Sequence, residues 1–316
     1  MLYSSDAREV RLEFRIPISP TPGFFAQVQL FHFALQQLGP RYANARLRII
    51  VGDKCDLRSV QDTNTWAHGY NVVWERVPDG LFDVANIWGT ANWRLSIGAE
   101  DADVIILSDA DTVLLRDIDP ILEEFHTLNP VVRGHVAHYP PPLSVGEDTI
   151  VAGCDFWPQI FQDYGISEPQ PWLRYSMDAD ETLPPTPHYY NLGFVAMNAA
   201  ALTCFGRDIH WTEEWLRQRH PSHMRCQIAL TLIAAAHRMD VGNLPAHYNA
   251  ANDPAHFQVA KMIPSEVRVL RYLRENEFER GKFLLPGHVD EFLAKELHTV
   301  MNPQLQELVR QWRATW

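Results

Sequence analysis

Residues 104–111 read Val104-Ile105-Ile106-Leu107-Ser108-Asp109-Ala110-Asp111. Four apolar residues, Val104, Ile105 and Ile106 among them β-branched, fit a short strand buried on both faces. Two carboxylates follow at i and i+2, where that strand runs out. In open α/β sheets, ligands bind outside the carboxyl ends of the strands. Two carboxylates there repel each other and resist desolvation unless a cation sits between them. Hard, oxygen-preferring ions suit such a pair, so Asp109 and Asp111 are candidate ligands of Mg²⁺ or Mn²⁺. A divalent ion at a sheet terminus in turn goes with a phosphate-bearing ligand.

The D-x-D pattern alone is weak, because the chain contains it four times. Asp101-Ala102-Asp103 precedes the strand and belongs to the loop leading into it. Asp117-Ile118-Asp119 follows it, with Asp119-Pro120 reading as the N-cap and first position of a helix. Asp178-Ala179-Asp180 lies in a proline-rich stretch with no strand before it. Only Asp109 and Asp111 have the strand context.

The 316 residues are 46% hydrophobic and 21% charged, enough to build a sizeable globular core as one large α/β domain or two smaller ones. A net charge of −12 without a basic run argues against a duplex nucleic-acid partner, which needs a cationic footprint. Cys55, Cys154, Cys204 and Cys226 show no C-x-x-C spacing and read as reduced thiols of a cytoplasmic protein. The polar first ten residues carry no secretory signal, and no apolar run approaches a membrane span.

Outward from the central strand, residues 10–16 alternate apolar and charged side chains as a first strand, and residues 17–23 form a proline-rich turn. Phe24, Val28, Phe31, Leu35 and Leu38 recur at helical spacing until Gly39-Pro40. Residues 47–51 and 70–77 read as further strands, giving β-α-β alternation and a parallel sheet. Residues 86–98 form a helix leading to the central strand, and it carries Arg94, which by spacing is equally a solvated helix residue or a guanidinium whose fork of donors suits a phosphate. Residues 139–188 contain nine prolines and read as a long, mostly irregular insertion on the acceptor side, with a helix near 158–164. Residues 189–198 are strand-like around Gly193, an interior glycine of the kind that marks a close approach. Trp211, Trp215 and Leu216 fit a helix face, residues 228–236 a buried helix and residues 267–272 a late strand. From Asn302, the stripe Leu305, Leu308, Val309, Trp312 and Trp316 marks a terminal helix that docks on the domain.

The order of these motifs resembles the GT-A glycosyltransferases, most of all the family-8-type enzymes related to bacterial galactosyltransferases and glycogenin. Arg94 stands where that family has a basic residue on the helix before its D-x-D strand, and Ser108-Asp109-Ala110-Asp111-Thr112 matches the D-x-D. Asn191-Leu192-Gly193-Phe194 resembles the N-x-G strand that lies against the donor sugar. Gln227-Ile228-Ala229-Leu230 is similar to an Asp-Gln-x-x-Leu motif, and Leu244-Pro245-Ala246-His247-Tyr248-Asn249 to the following L-P-x-x-Y/F-N. Two positions depart: Cys226 replaces the aspartate before the glutamine, and Arg271 falls near the late metal-binding histidine. The resemblance implies an α/β GT-A fold, a Rossmann-like, mostly parallel mixed sheet flanked by helices. The catalytic domain would span residues 1–275, with residues 276–316 a helical extension packed on it.

By the same resemblance, the enzyme moves a sugar from a nucleotide diphosphate donor, a UDP-sugar by default and GDP otherwise, to a hydroxyl of a glycan or small-molecule acceptor. Gln227, Asp111 and Asn191 would be catalytic. Arg94, Ser108, Asp109, Ala110, Gly193, Asn249 and Arg271 would hold the donor. Asp109 and Asp111 would hold Mn²⁺ or Mg²⁺ with His247 or His256 as third ligand, unless Arg271 neutralises the diphosphate itself. The resemblance implies retention, whereas inversion would need a base such as Asp155, Asp178, Asp180 or Glu181. Two other readings compete. Asp109-Ala110-Asp111-Thr112-Val113 also fits a haloacid-dehalogenase-type phosphatase, though that motif normally lies near the start of its fold. A degenerate GT-A module that binds without turnover is the second. A sugar-nucleotide pyrophosphorylase is disfavoured, because Pro20-Thr21-Pro22-Gly23 does not resemble its glycine-rich opening loop.

Overall fold

The computed structural model describes residues 10–81, 87–145, 148–167 and 171–316. Its strands are, in chain order, β1 (Leu12–Ile18), β2 (Arg46–Val51), β3 (Val72–Arg76), β4 (Val104–Ser108), β5 (Thr112–Leu114) and β6 (Val131–Val136). They continue with β7 (Pro142–Val145), β8 (Asp148–Val151), β9 (Tyr190–Asn198), β10 (Asp240–Asn243), β11 (Ala250–Ala251) and β12 (Val269–Arg271). β4 is buried along its whole length, as its uninterrupted apolar run requires. It lies within a seven-stranded sheet of order β10-β6-β9-β4-β1-β2-β3. β1 pairs in parallel with β2 and β4, β2 with β3, and β10 with β6. Only β9 runs the other way, antiparallel to β4 and β6. The sheet is mixed, mostly parallel and flanked by helices. The strand order reverses beside β1, so the carboxyl end of β4 opens at a topological switch point, where α/β sheets place ligands.

The first strand differs from its expected form. It begins at Leu12 and continues through Pro17 to Ile18, and the helix Pro22–Gln36 starts directly with Thr21 as its cap. Its charged face is also buried. Glu13 and Arg15 are both 0% exposed. Glu13 accepts from Arg15 at 2.7 Å, from Arg48 at 2.9 Å and from Arg46 at 3.2 Å. Arg15 spends its remaining donors on the carbonyls of Arg94, Ile97 and Gly98, at 2.6–2.7 Å. Those carbonyls lie at and just beyond the end of the helix Ile87–Ser96, where orphan acceptors and the negative end of the helix dipole favour a cation. An alternating strand thus clamps the helix that carries Arg94. Asn86, the expected start of that helix, lies outside the described residues.

Several elements had no counterpart among the expectations. β6 and the polar edge strand β10 join the main sheet, and β7 and β8 form a separate antiparallel hairpin inside the proline-rich stretch. The helix of that stretch runs Phe156–Tyr164. The short β11, β12 and β5 form a second sheet over the D-x-D turn. After residue 275, Phe278, Phe283, Leu284, Val289, Phe292, Leu305, Val309 and Trp312 join Leu30, Ala34, Val113, Leu270 and Tyr272 in one apolar cluster. The end of the chain is therefore cemented to both β5 and β12.

Removing the Glu13 carboxylate would leave buried guanidiniums without their counter-charge. Glu13→Ala should cost about 3–5 kcal/mol in urea unfolding. A loss below about 1 kcal/mol, the range of exposed ion pairs, would mean that Arg15 and Arg48 are hydrated in solution.

Candidate active site

β4 ends at Ser108 and β5 begins at Thr112, so Asp109, Ala110 and Asp111 form the turn between them. The turn is tied down from several directions. Thr112 donates from its hydroxyl to the Asp109 carbonyl at 2.6 Å. Tyr272 donates from its backbone to the Asp111 carbonyl at 2.9 Å and from its phenol to the Ala110 carbonyl at 3.1 Å. Ser108 contacts the Thr112 hydroxyl at 2.7 Å and donates to the Gly193 carbonyl at 3.2 Å, linking the turn to β9.

The antiparallel register pairs Arg271 of β12 with Thr112 of β5, which sets the Arg271 guanidinium beside both carboxylates. It reaches Asp109 at 2.7 Å and Asp111 at 3.4 Å. A third arm reaches the Asn191 side-chain oxygen at 2.5 Å. Burial opposes the charge on Arg271, and Asp109 and Asp111 outweigh it, so its pKa moves up and it stays cationic. Arg94, 1% exposed, donates to the Ser108 carbonyl at 3.0 Å and lies 3.6 Å from Asp109. Arg280 closes the set, 2.6 Å from the outer oxygen of Asp111. No sequence motif had pointed to Arg280. It comes from the segment after residue 275, whose loop rests on the first long helix. Gln27 donates to the Arg280 carbonyl at 3.0 Å, and a side chain at Gly23 would meet the Gly281 carbonyl at 2.2 Å.

Beside the guanidiniums lie the amides. Asn191 accepts from the Gly193 N–H at 3.0 Å, and its carbonyl accepts from Asn249 at 3.2 Å. A Cβ at Gly193 would stand 2.8 Å from the Asn249 oxygen and 2.9 Å from Arg271 Cδ. Glycine is needed there for close side-chain approach. The Asn249 oxygen is buried without a partner. Gln227 is half-buried in the first turn of the helix Arg225–Ala236, next to buried Cys226. Glu213, from the helix Ala199–Arg219, is also buried and influences the Cys226 thiol. Burial lifts the Glu213 carboxyl to about 7, partly offset by Arg225 and Asn92. A carboxyl thus stands near the position where the sequence motif lacks its aspartate.

His256 does not join the aspartates. It packs against His138 and His135, with ring centres 4.5 and 5.9 Å away. His247 packs on Tyr248 at 4.7 Å. Among the described residues, no group of three His, Cys, Asp or Glu side chains could hold a metal ion. The three histidines form one cluster, and Arg271 lies close enough for its charge to disfavour a proton on His138. Burial, then the neighbouring histidines and Arg271, lowers His138 to about 3. Burial and His135 lower His256 to about 4, Asp253 opposing. Burial lowers His135 as well, against the pull of the Leu244 carbonyl.

No family model matches the sequence, and no curated protein does. In three dimensions the chain is similar to mouse xyloside xylosyltransferase 1 in its apo form, with TM-score 0.50 and 16% identity over 84% of this chain and 97% of that one. It is also similar to the apo structure of the bifunctional glycosyltransferase WbbM, with TM-score 0.53 and 13% identity over 96% of this chain and 52% of that one. The chain spans about half the length of WbbM. The chain shares its fold, a mixed and mostly parallel sheet flanked by helices, with these two structures. The cations facing Asp109 and Asp111 are arginines, where the phosphatase reading needs a lysine. Among the described residues, no helix is long and apolar enough to cross a membrane.

The neutral histidines set a pH dependence. Their pKa values are lowered in the fold, so below the ordinary histidine value the unfolded chain takes up protons that the folded chain refuses. Stability then falls as the pH drops from about 6.5 towards 4, by up to about 2 kcal/mol per histidine at pH 5. His138→Gln should flatten that decline by one proton in urea unfolding measured across the range. Parallel pH profiles for variant and parent would show that His138 titrates normally in the folded protein.

Proposed function

We propose that the chain is a glycosyltransferase that moves a sugar from a nucleotide diphosphate donor, by default a UDP-sugar, to a hydroxyl of a glycan or small-molecule acceptor. One observation carries the reading. Three guanidiniums converge on the D-x-D turn at the carboxyl edge of a glycosyltransferase sheet, with side-chain amides beside them. Among the described residues, three cations against two carboxylates leave the turn with a positive charge, which suits a diphosphate.

In the reaction, the bond from the anomeric carbon to the phosphate oxygen breaks and a bond to the acceptor oxygen forms. The acceptor proton leaves with the diphosphate. Negative charge builds on the leaving group, and guanidiniums already seated on the bound diphosphate stabilise it. Asn191, Asn249 and Gln227 would orient sugar hydroxyls through directional amide contacts. Retention, in which the acceptor attacks from the leaving-group side, follows from the family-8 resemblance. Of the candidate bases for inversion, Asp178 accepts from Thr182 and Leu183 in its own loop, and Glu181 pairs with Arg174 at the surface.

Mn²⁺ or Mg²⁺ enters the reading only through the motif. Each of the four carboxylate oxygens of Asp109 and Asp111 faces a guanidinium nitrogen, and neither His247 nor His256 completes a shell with them. As placed, this donor set does not fit a divalent ion.

A panel of nucleotide sugars should reveal one that is hydrolysed slowly and transferred to an acceptor. Arg271→Met should lower kcat/KM for it by about a hundredfold or more, the scale for losing a donor to a developing anion. NMR should find a product with the donor's anomeric configuration. An inverted anomer removes the retaining mechanism, and absence of turnover across the panel removes the enzyme reading.

A further inference from the structure

We infer that this site binds its donor diphosphate without a divalent ion, Asp109 and Asp111 acting as exchangeable counter-ions of Arg271 and Arg280 and not as metal ligands. The inference rests on the glycosyltransferase reading for the identity of the diphosphate and on the ion-pair geometry for the rest.

Arg271 lies where a shared cation would lie. It is 2.7 Å from one aspartate and 3.4 Å from the other, and it is anchored by Asn191 and by the pairing of β12 with β5. Its neighbour Arg280 covers the outer Asp111 oxygen at 2.6 Å. A divalent ion ligated by both carboxylates would have to displace one guanidinium and stand against the other. At such separations like charges repel strongly, because little water screens a pair of side chains that are mostly buried. The two arginines differ in freedom. The Arg280 side chain is 36% exposed and that of Arg271 is 18% exposed, so Arg280 is the one poised to turn from carboxylate to phosphate. Both can present two N–H groups in one plane, which matches two oxygens of a phosphate. In the free protein each carboxylate occupies the place of a phosphate. The incoming diphosphate then exchanges one anion for another, and the turn never carries a large unbalanced charge.

The opposite assignment of the carboxylates predicts an opposite sign. If Asp111 were a metal ligand, its amide would lose nucleotide. If Asp111 is a competing counter-ion, Asp111→Asn removes an internal competitor of similar shape. UDP and GDP are titrated calorimetrically into the full chain, parent and Asp111→Asn, once with EDTA and once with Mn²⁺. The inference expects one nucleotide to bind the parent in EDTA with a Kd within about threefold of that in Mn²⁺. It expects Asp111→Asn to bind about threefold to tenfold more tightly in EDTA. Binding of the parent that requires Mn²⁺ overturns the inference and leaves the glycosyltransferase reading standing. Binding to Asp111→Asn weakened tenfold or more, in a variant whose melting matches the parent's, does the same. Failure of both nucleotides to bind under either condition overturns the reading and the inference together. The parent titration decides the question even if the variant does not fold.

Discussion

Two carboxylates in a three-residue turn at the end of a buried strand are a charge problem that the rest of the chain has to solve. β4 leaves no freedom, since its residues are enclosed by both faces of the sheet and its last carbonyl is already bonded. The solution comes from three distant places in the sequence. Arg94 approaches from the helix before the strand, Arg271 from a strand that pairs across the turn, and Arg280 from the chain's final segment. Any one of these would leave an acidic turn. All three together make it a cationic one, and the sign of the site therefore depends on tertiary structure and not on the motif.

The position of Arg94 depends in turn on Glu13. A buried carboxylate on β1 holds Arg15, and Arg15 holds the carbonyl of Arg94 itself. This pairing is a poor stabiliser on average, because desolvation of buried charges offsets much of their attraction. Its use here is geometric. It fixes where the helix Ile87–Ser96 ends relative to the sheet, and a guanidinium that must meet Asp109 across 3.6 Å tolerates little slack.

The parts of this arrangement that were legible in the sequence are the local ones. The apolar run of β4, the glycine in β9 and the helical stripes each follow from one segment's own periodicity. β10 was not legible, because Asp240-Val241-Gly242-Asn243 has a single apolar side chain and is held at the sheet edge by β6. Glu13 and Arg15 were visible as alternation, yet alternation normally means a wet face, and nothing local says that a helix will cover it. In the site, Arg271 could be flagged because it replaced an expected histidine. Arg280 could not, since its place is set by a loop that packs on Gly23 and Gln27, more than 250 positions earlier by the Gln27 contact.

That last dependence gives the final segment a role beyond covering apolar surface. The cluster that joins Phe283, Val289 and Trp312 to Val113, Leu270 and Tyr272 grips β5 and its partner β12 beside the D-x-D turn. Tyr272 makes the link explicit, with its ring against Phe283 at 5.7 Å and its phenol on the Ala110 carbonyl. The same segment that shapes the turn also supplies Arg280 to its open side. Packing of the chain's end and charge at the site are thus one structural event. Loosening the cluster would withdraw a cation and free a carboxylate at the same moment, leaving two guanidiniums against two carboxylates and removing the net positive charge of the turn.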